Sequence, residues 1–134
     1  MSKTIPIDDS TTTTFEEASK AVMEHVTVRH WNTNPPRGLA ISIALEANEL
    51  LEHYQWQDKP IGDTKEIAEE LADVFIYAIQ FADRYEINIS QAIMQKLAKS
   101  AKKYPVQDFA MADSAERREA WLEAKKNYKK DTIL

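Results

Sequence analysis

The sequence predicts an all-α fold, consisting of a four-helix core bundle with an additional C-terminal helix. Glycine occurs only 2 times in 134 residues, and a chain with so few tight turns is a poor candidate for a β-sandwich or barrel. The longest segments between chain breaks carry apolar residues at helical spacing. The chain length suits one domain with a core of its own.

The first two helices are bounded by a capping signal and by prolines. Thr14 followed by Glu17 forms a capping box, which predicts a helix from about residue 15 to 30. The run of asparagine and proline at 32–36 then breaks the chain. A second helix is predicted from about 37 to 55, because the preceding proline is favoured at a helix start.

Three further helices follow in the second half of the sequence. Asp63 and Glu66 form another capping pair, which predicts the longest helix, to about residue 85. The fourth helix ends near residue 104, because the next residue is a proline. Either of two polar residues begins that helix: Asn88 or Ser90. A charged fifth helix begins at 113–116 and runs to about 128.

These elements predict three segments: a flexible arm at 1–14, one helical domain at 15–105, and a helical extension at 106–134. Cysteine is absent, which excludes disulfides and thiolate metal sites. No apolar run approaches the roughly 20 residues of a membrane span, and the polar start has no signal-peptide core. We therefore expect a cytoplasmic protein without membrane contact. A net charge of −5 also argues against a nucleic-acid binder.

Two pairs of carboxylates lie along the edges of the second and third helices. Glu46 with Glu49, and Glu70 with Asp73, are each spaced i, i+3, so each pair projects from one side of its helix. If the two helices pack antiparallel, all four carboxylates could converge and would repel one another without a cation. Hard oxygen ligands favour Mg²⁺ or Mn²⁺. The alternative is that they belong to ordinary solvated helix faces.

Several apolar residues remain outside the predicted core faces. They suggest packing against a second subunit, and they are Ile41, Leu45, Ala72, Ile76 and Ile79. A di-iron carboxylate bundle is disfavoured, because it needs a Glu-x-x-His motif on two helices and the third helix here has no histidine. We assign no catalytic role to His25, His30 or His53.

The segments Glu46-Ala47-Asn48-Glu49 and Glu70-Leu71-Ala72-Asp73 resemble the signature of the MazG-type all-α NTP pyrophosphohydrolases, an E-x-x-E followed by an E-x-x-D. The sequence is most similar to the small, dCTP pyrophosphatase-like branch. The resemblance extends over about 15–105, and its other matching segments are 30–39, 54–56, 73–77 and 96–105.

The resemblance implies a Mg²⁺-dependent enzyme, with Mn²⁺ as the alternative ion, that converts a nucleoside triphosphate to a monophosphate and pyrophosphate. A pyrimidine deoxynucleotide such as dCTP, or a modified form, is the implied substrate. Glu46, Glu49, Glu70 and Asp73 would bind metal, and Glu46 or Glu49 would orient the attacking water. The implied substrate-binding residues are Trp31, Arg37, Trp56, Tyr77, Lys96, Ser100, Lys103 and Tyr104. The family's habit also implies a homodimer or homotetramer.

Two other functions remain compatible with the sequence. One is a phosphoribosyl-ATP pyrophosphohydrolase-like enzyme, although Trp31 and Trp56 favour a site that encloses a nucleotide base. The other is a non-enzymatic helical interaction module, whose acidic stripes would show no saturable Mg²⁺ binding.

Overall fold

The structure, a computed structural model, describes residues 13–110 and 113–131, so the first twelve residues of the predicted arm lie outside the described part. The described residues form helices and no strand, which confirms the predicted all-α class. The helices are α1 (Phe15–Thr27), α2 (Pro36–Glu52), α3 (Thr64–Arg84), α4 (Ile89–Lys103), α5 (Val106–Phe109) and α6 (Ser114–Asp131). They fall into two compact units, Met1–Ile89 and Ser90–Leu134.

Both predicted capping boxes are present. At α1 the Glu17 backbone N–H donates to Thr14 Oγ1 over 3.2 Å, and the Thr14 N–H donates to the Glu17 carboxylate over 2.9 Å. At α3 the same pair of bonds joins Asp63 and Glu66, at 2.9 and 2.8 Å. These bonds satisfy backbone donors that a helix start otherwise leaves unpaired.

The first two helices end earlier than predicted. The residue His30 adopts a left-handed φ of 56°, and the Trp31 N–H donates back to the Val26 carbonyl over 2.9 Å. A left-handed residue with such a backward bond terminates a helix, so α1 stops at Thr27.

The short helix α5 was not predicted; Pro105, which ends α4, serves as its N-cap.

The first unit is built around α3, which packs against both α2 and α1. Its most buried residues come from all three helices: Val26, Leu39, Ile79, Gln80 and Ala82. The prediction that Ile79 is a leftover apolar residue is wrong, because only 6% of it is exposed. Leu71, two turns earlier on the same helix, is 45% exposed. Because α1 and α2 both pack against α3, the buried side of α3 is wider than a single neighbouring helix would make it. Ile79 lies on this buried side, and Leu71 lies near its edge.

Arg84, at the end of α3, fixes the connection between α1 and α2. Its Nε donates to the Asn34 carbonyl over 3.2 Å, and its Nη2 donates to the carbonyls of Asn34 and Asn32. Hydrogen bonds from a charged group to backbone carbonyls are among the stronger ones in proteins. Arg84 therefore holds the start of α2, the helix that carries Glu46 and Glu49, close to the end of α3.

The second unit contains α4, α5 and α6, and α5 packs against α6. Its ring contacts include Tyr104 on Phe109, with centroids 5.7 Å apart. Within the described part of the chain, no helix is both long and apolar enough to cross a membrane.

Candidate active site

Three of the predicted carboxylates meet between α2 and α3. Oxygen atoms of Glu46, Glu49 and Glu70 all lie within 4.8 Å of one another, and we call this group the carboxylate cluster. Arg84 at the end of α3 bonds to Asn34 just before α2, and His53 at the end of α2 bonds to Gly62 just before α3, so the two helices run antiparallel. The i, i+3 spacing on each helix and the antiparallel packing together produce the convergence.

Partial burial and mutual repulsion make two members of the carboxylate cluster, Glu46 and Glu70, reluctant to ionise. Loss of solvent raises the pKa of Glu46, and the charges of Glu49, Asp73 and Glu70 raise it further. For Glu70, loss of solvent and then the charge and hydrogen bond of Glu49 raise the pKa, while His53 opposes the shift. Neighbouring like charges disfavour the ionised form of a carboxyl group. The fourth predicted ligand, Asp73, contributes to this field.

His53, to which we assigned no catalytic role, adjoins the carboxylate cluster. Its Nε2 atom lies 3.9 Å from Glu70 Oε1, which is an electrostatic contact longer than a hydrogen bond. Its Nδ1 atom accepts a hydrogen bond of 3.2 Å from the Gly62 backbone N–H. The signal in the sequence was its position four residues after Glu49 on the acidic edge of α2.

Gly62 is required where it stands because the His53 ring passes very close to it. A Cβ atom at Gly62 would lie 2.5 Å from His53 Cε1 and 2.6 Å from a Glu66 carboxylate oxygen. A side chain there would displace the imidazole, the Glu66 cap, or both. The absence of a side chain thus allows the α2–α3 connection (residues 53–63) to close over His53.

The other predicted residues of the first unit are differently placed. Trp31 is 60% exposed and is contacted by the His25 ring at 6.0 Å and the Arg29 guanidinium at 5.8 Å. Trp56 is 80% exposed, in the α2–α3 connection. Arg37 is exposed in the first turn of α2, and Tyr77 is half-buried on α3, one turn beyond Asp73. Both indole rings are therefore accessible to a ligand.

The remaining predicted residues belong to the second unit. Lys96 is exposed on α4, and three others are half-buried toward its end: Ser100, Lys103 and Tyr104. The Lys103 ammonium lies 5.2 Å from the centre of the Tyr104 ring and 4.3 Å from that of Tyr128 on α6. Lys99, Lys102 and Lys103 line an open cleft of about 790 Å³ together with residues of α6.

The donor set of the carboxylate cluster fits a hard divalent cation. Three carboxylate oxygens lie close enough together to share one ion. Loss of solvent and then the neighbouring carboxylates raise the pKa of Glu46 and Glu70, and a bound cation would offset both effects. Oxygen-only ligands suit Mg²⁺ and Mn²⁺ and disfavour zinc or copper.

The sequence match to a known family coincides with this geometry. The MazG-like family matches residues 41–116, more than half of the chain, and that segment contains the carboxylate cluster and Asp73. The chain belongs to the MazG-like family. The predicted resemblance is thereby confirmed.

Two curated relatives and one solved structure are similar to this MazG-like chain. dCTP pyrophosphatase 1 of Bos taurus is 30% identical over 110 residues, which are 75% of this chain and 65% of that protein. The Mus musculus protein of the same name is 29% identical over 102 residues, 69% of this chain and 60% of that protein. The MazG-like chain thus spans 60–65% of the length of these relatives.

The solved structure is a pyrophosphatase from Archaeoglobus fulgidus, which is 34% identical in sequence. It superimposes with a TM-score of 0.58 and covers 67% of the MazG-like chain and 91% of its own. This similarity supports the all-helical fold independently of the sequence motifs.

Proposed function

We propose that the protein is a Mg²⁺-dependent nucleoside triphosphate pyrophosphohydrolase, which converts its substrate to a nucleoside monophosphate and pyrophosphate. The observation that carries this proposal is the carboxylate cluster, in which oxygens from two adjacent helices lie within 4.8 Å of one another. Membership of the MazG-like family and the names of the relatives support the same reaction.

Glu46, Glu49, Glu70 and Asp73 would hold the metal. When bound, magnesium would neutralise triphosphate charge and make water a better nucleophile. Glu46 or Glu49 orients the attacking water by accepting a hydrogen bond from it, since a carboxylate within reach is the simplest general base in this site. Water attacks the α-phosphorus and gives its proton to that carboxylate, the bond between the α-phosphorus and the α–β bridging oxygen breaks, and pyrophosphate leaves with the bonding electron pair.

The proposed substrate is a pyrimidine deoxynucleoside triphosphate such as dCTP or a modified form. The mammalian relatives are named dCTP pyrophosphatases, and the exposed rings of Trp31 and Trp56 offer flat surfaces against which a base could stack. Lys96 and Lys103 are proposed to bind phosphate oxygens.

A nucleotide panel in H₂¹⁸O with Mg²⁺ tests the reaction. We expect equal amounts of monophosphate and pyrophosphate, with the label in the monophosphate because water attacks the α-phosphorus. Orthophosphate released with a diphosphate intermediate, or label in pyrophosphate, would contradict the mechanism. A protein without saturable Mg²⁺ binding would instead support the non-enzymatic interaction module.

A further inference from the structure

The imidazole of His53 has both of its nitrogen atoms directed at named partners. Nδ1 accepts from the Gly62 N–H at 3.2 Å, so the proton of the neutral ring must reside on Nε2. Nε2 lies 3.9 Å from Glu70 Oε1, so its N–H is within electrostatic reach of that carboxylate. The side chain is 15% exposed, which limits the rotamers available to it.

Glu70 is the carboxylate of the cluster that His53 contacts. Its carboxyl group lies against Glu49 and in the field of Asp73, and His53 is the group that opposes their repulsion. Carboxylates that bind a metal are commonly hydrogen-bonded by further side chains, which orient them toward the ion.

We propose that His53 is a positioning residue, which the Gly62 N–H holds so that its Nε2–H keeps Glu70 turned toward Glu46 and Glu49. The inference rests on the proposed function only in taking Glu70 as a metal ligand. His53 touches neither the substrate nor the reacting atoms in this proposal. It acts through Glu70.

Two conservative substitutions separate the two nitrogen atoms. His53→Gln places an amide N–H near the former Nε2 position and loses the acceptor for Gly62. His53→Asn places an amide oxygen near the former Nδ1 position, keeps that acceptor, and does not reach Glu70. His53→Leu removes both functions at similar volume.

Mg²⁺ affinity, measured by calorimetry without nucleotide, is the first readout. We expect His53→Leu and His53→Asn to weaken binding by about 10- to 100-fold, as loss of a partner behind a metal ligand commonly does, and His53→Gln to recover most of it. The same substitution at a histidine outside the cluster, His30→Asn, should keep wild-type affinity. Recovery by Asn but not Gln would overturn the proposal, because it would assign His53 only to closing the α2–α3 connection.

The second readout does not depend on metal. In nitrogen-15 spectra of the metal-free protein, the neutral form of the His53 ring should carry its proton on Nε2, and a neutral ring with its proton on Nδ1 would overturn the proposal. Wild-type Mg²⁺ binding together with unchanged affinity in His53→Leu would refute the role of His53 and leave the proposed function standing. Absence of saturable Mg²⁺ binding in the wild type would refute both.

Discussion

At the scale of single residues, the decisive test is whether the carboxylates act together. Glu70→Gln and Asp73→Asn each keep shape and remove one negative charge, so we expect Mg²⁺ affinity and turnover to fall at least about 10- to 100-fold. Stability of the metal-free protein should stay the same or rise, because repulsion is relieved. Melts with and without Mg²⁺, alongside an activity assay, measure both effects.

Glu69→Gln provides the matched control for these variants. Glu69 is exposed and adjacent to Glu70 in sequence, but it projects about 100° away around the helix. It should change stability by no more than about 0.5 kcal/mol and leave Mg²⁺ binding intact. An equal loss in Glu69→Gln would mean that the acidic surface, and not the cluster, attracts the ion.

The raised pKa values of Glu46 and Glu70 also predict a pH dependence. Because these groups hold protons more tightly in the folded than in the unfolded chain, their contribution to metal-free stability should increase as pH falls from neutral toward the ordinary glutamate value of 4.5. Urea unfolding at several pH values measures the slope, which should be shallower in Glu70→Gln and unchanged in Glu69→Gln. A slope that is identical in all three proteins would contradict the coupling.

The residues of the candidate site differ in how far the sequence could reveal them. Glu46, Glu49 and Glu70 were recognisable because their spacing and helix faces are local properties, and only the antiparallel pairing had to be assumed. The contact of His53 with Gly62 depends on how the α2–α3 connection folds back, for which the sequence carries no periodic signal. Arg84 was missed for the same reason, since its partners lie about 50 positions earlier.

At the scale of helices, the capping box of α3 should matter to the site as well as to stability. Asp63→Ala removes the side-chain acceptor for the Glu66 N–H, and loss of such a cap typically costs about 1 kcal/mol. Because Asp63 directly follows Gly62 and starts the helix carrying Glu70, we also expect weaker Mg²⁺ binding. Denaturant unfolding and calorimetry measure the two effects.

Thr14→Ala, in the capping box of α1, is the corresponding control. It should cost a similar free energy of unfolding while leaving Mg²⁺ affinity unchanged, because α1 contributes no member of the carboxylate cluster. Equal weakening of Mg²⁺ binding in both variants would show that global stability, and not the start of α3, controls the site.

Helix starts were predictable and helix ends were less so. Side-chain caps such as Thr14 and Asp63 can be predicted because the two residues of each capping box are only three positions apart in the sequence. The ends of α1 and α2 depend instead on tertiary geometry, such as the left-handed backbone at His30. The burial of Ile79 likewise reflects α1 and α2 packing together on α3, which the periodicity of one helix does not reveal.

At the scale of the whole molecule, the exposed apolar side chains support the proposal of a homodimer or homotetramer. Ile41 is 49% and Leu45 58% exposed on successive turns of α2, and Leu71 and Phe75 are similarly exposed on α3. We expect light scattering at micromolar concentration to give a multiple of the 15.4 kDa chain mass. A monomer mass would contradict the proposal.

A double variant, Ile41→Gln with Leu45→Gln, should lower the association state, because contiguous apolar surface of this kind is typical of subunit interfaces. Val28→Gln is the control, since Val28 is 65% exposed just after α1 and outside the faces of α2 and α3. If both variants dissociate equally, another surface forms the contact.

The closure of the α2–α3 connection bears on how this chain can vary in length. The Ile61 N–H bonds to the His53 carbonyl at 2.9 Å, and the Gly62 N–H to the His53 ring, so residues 54–60 form a tip whose base is already fastened. Lengthening a flexible loop costs only about 0.6 kcal/mol per doubling. Insertions between Lys59 and Pro60 should therefore be tolerated with full Mg²⁺ affinity, whereas one residue inserted between Gly62 and Asp63 should abolish it. Homologous chains would then differ in the length of the tip, while the residues that close it at both ends keep their spacing to α2 and α3.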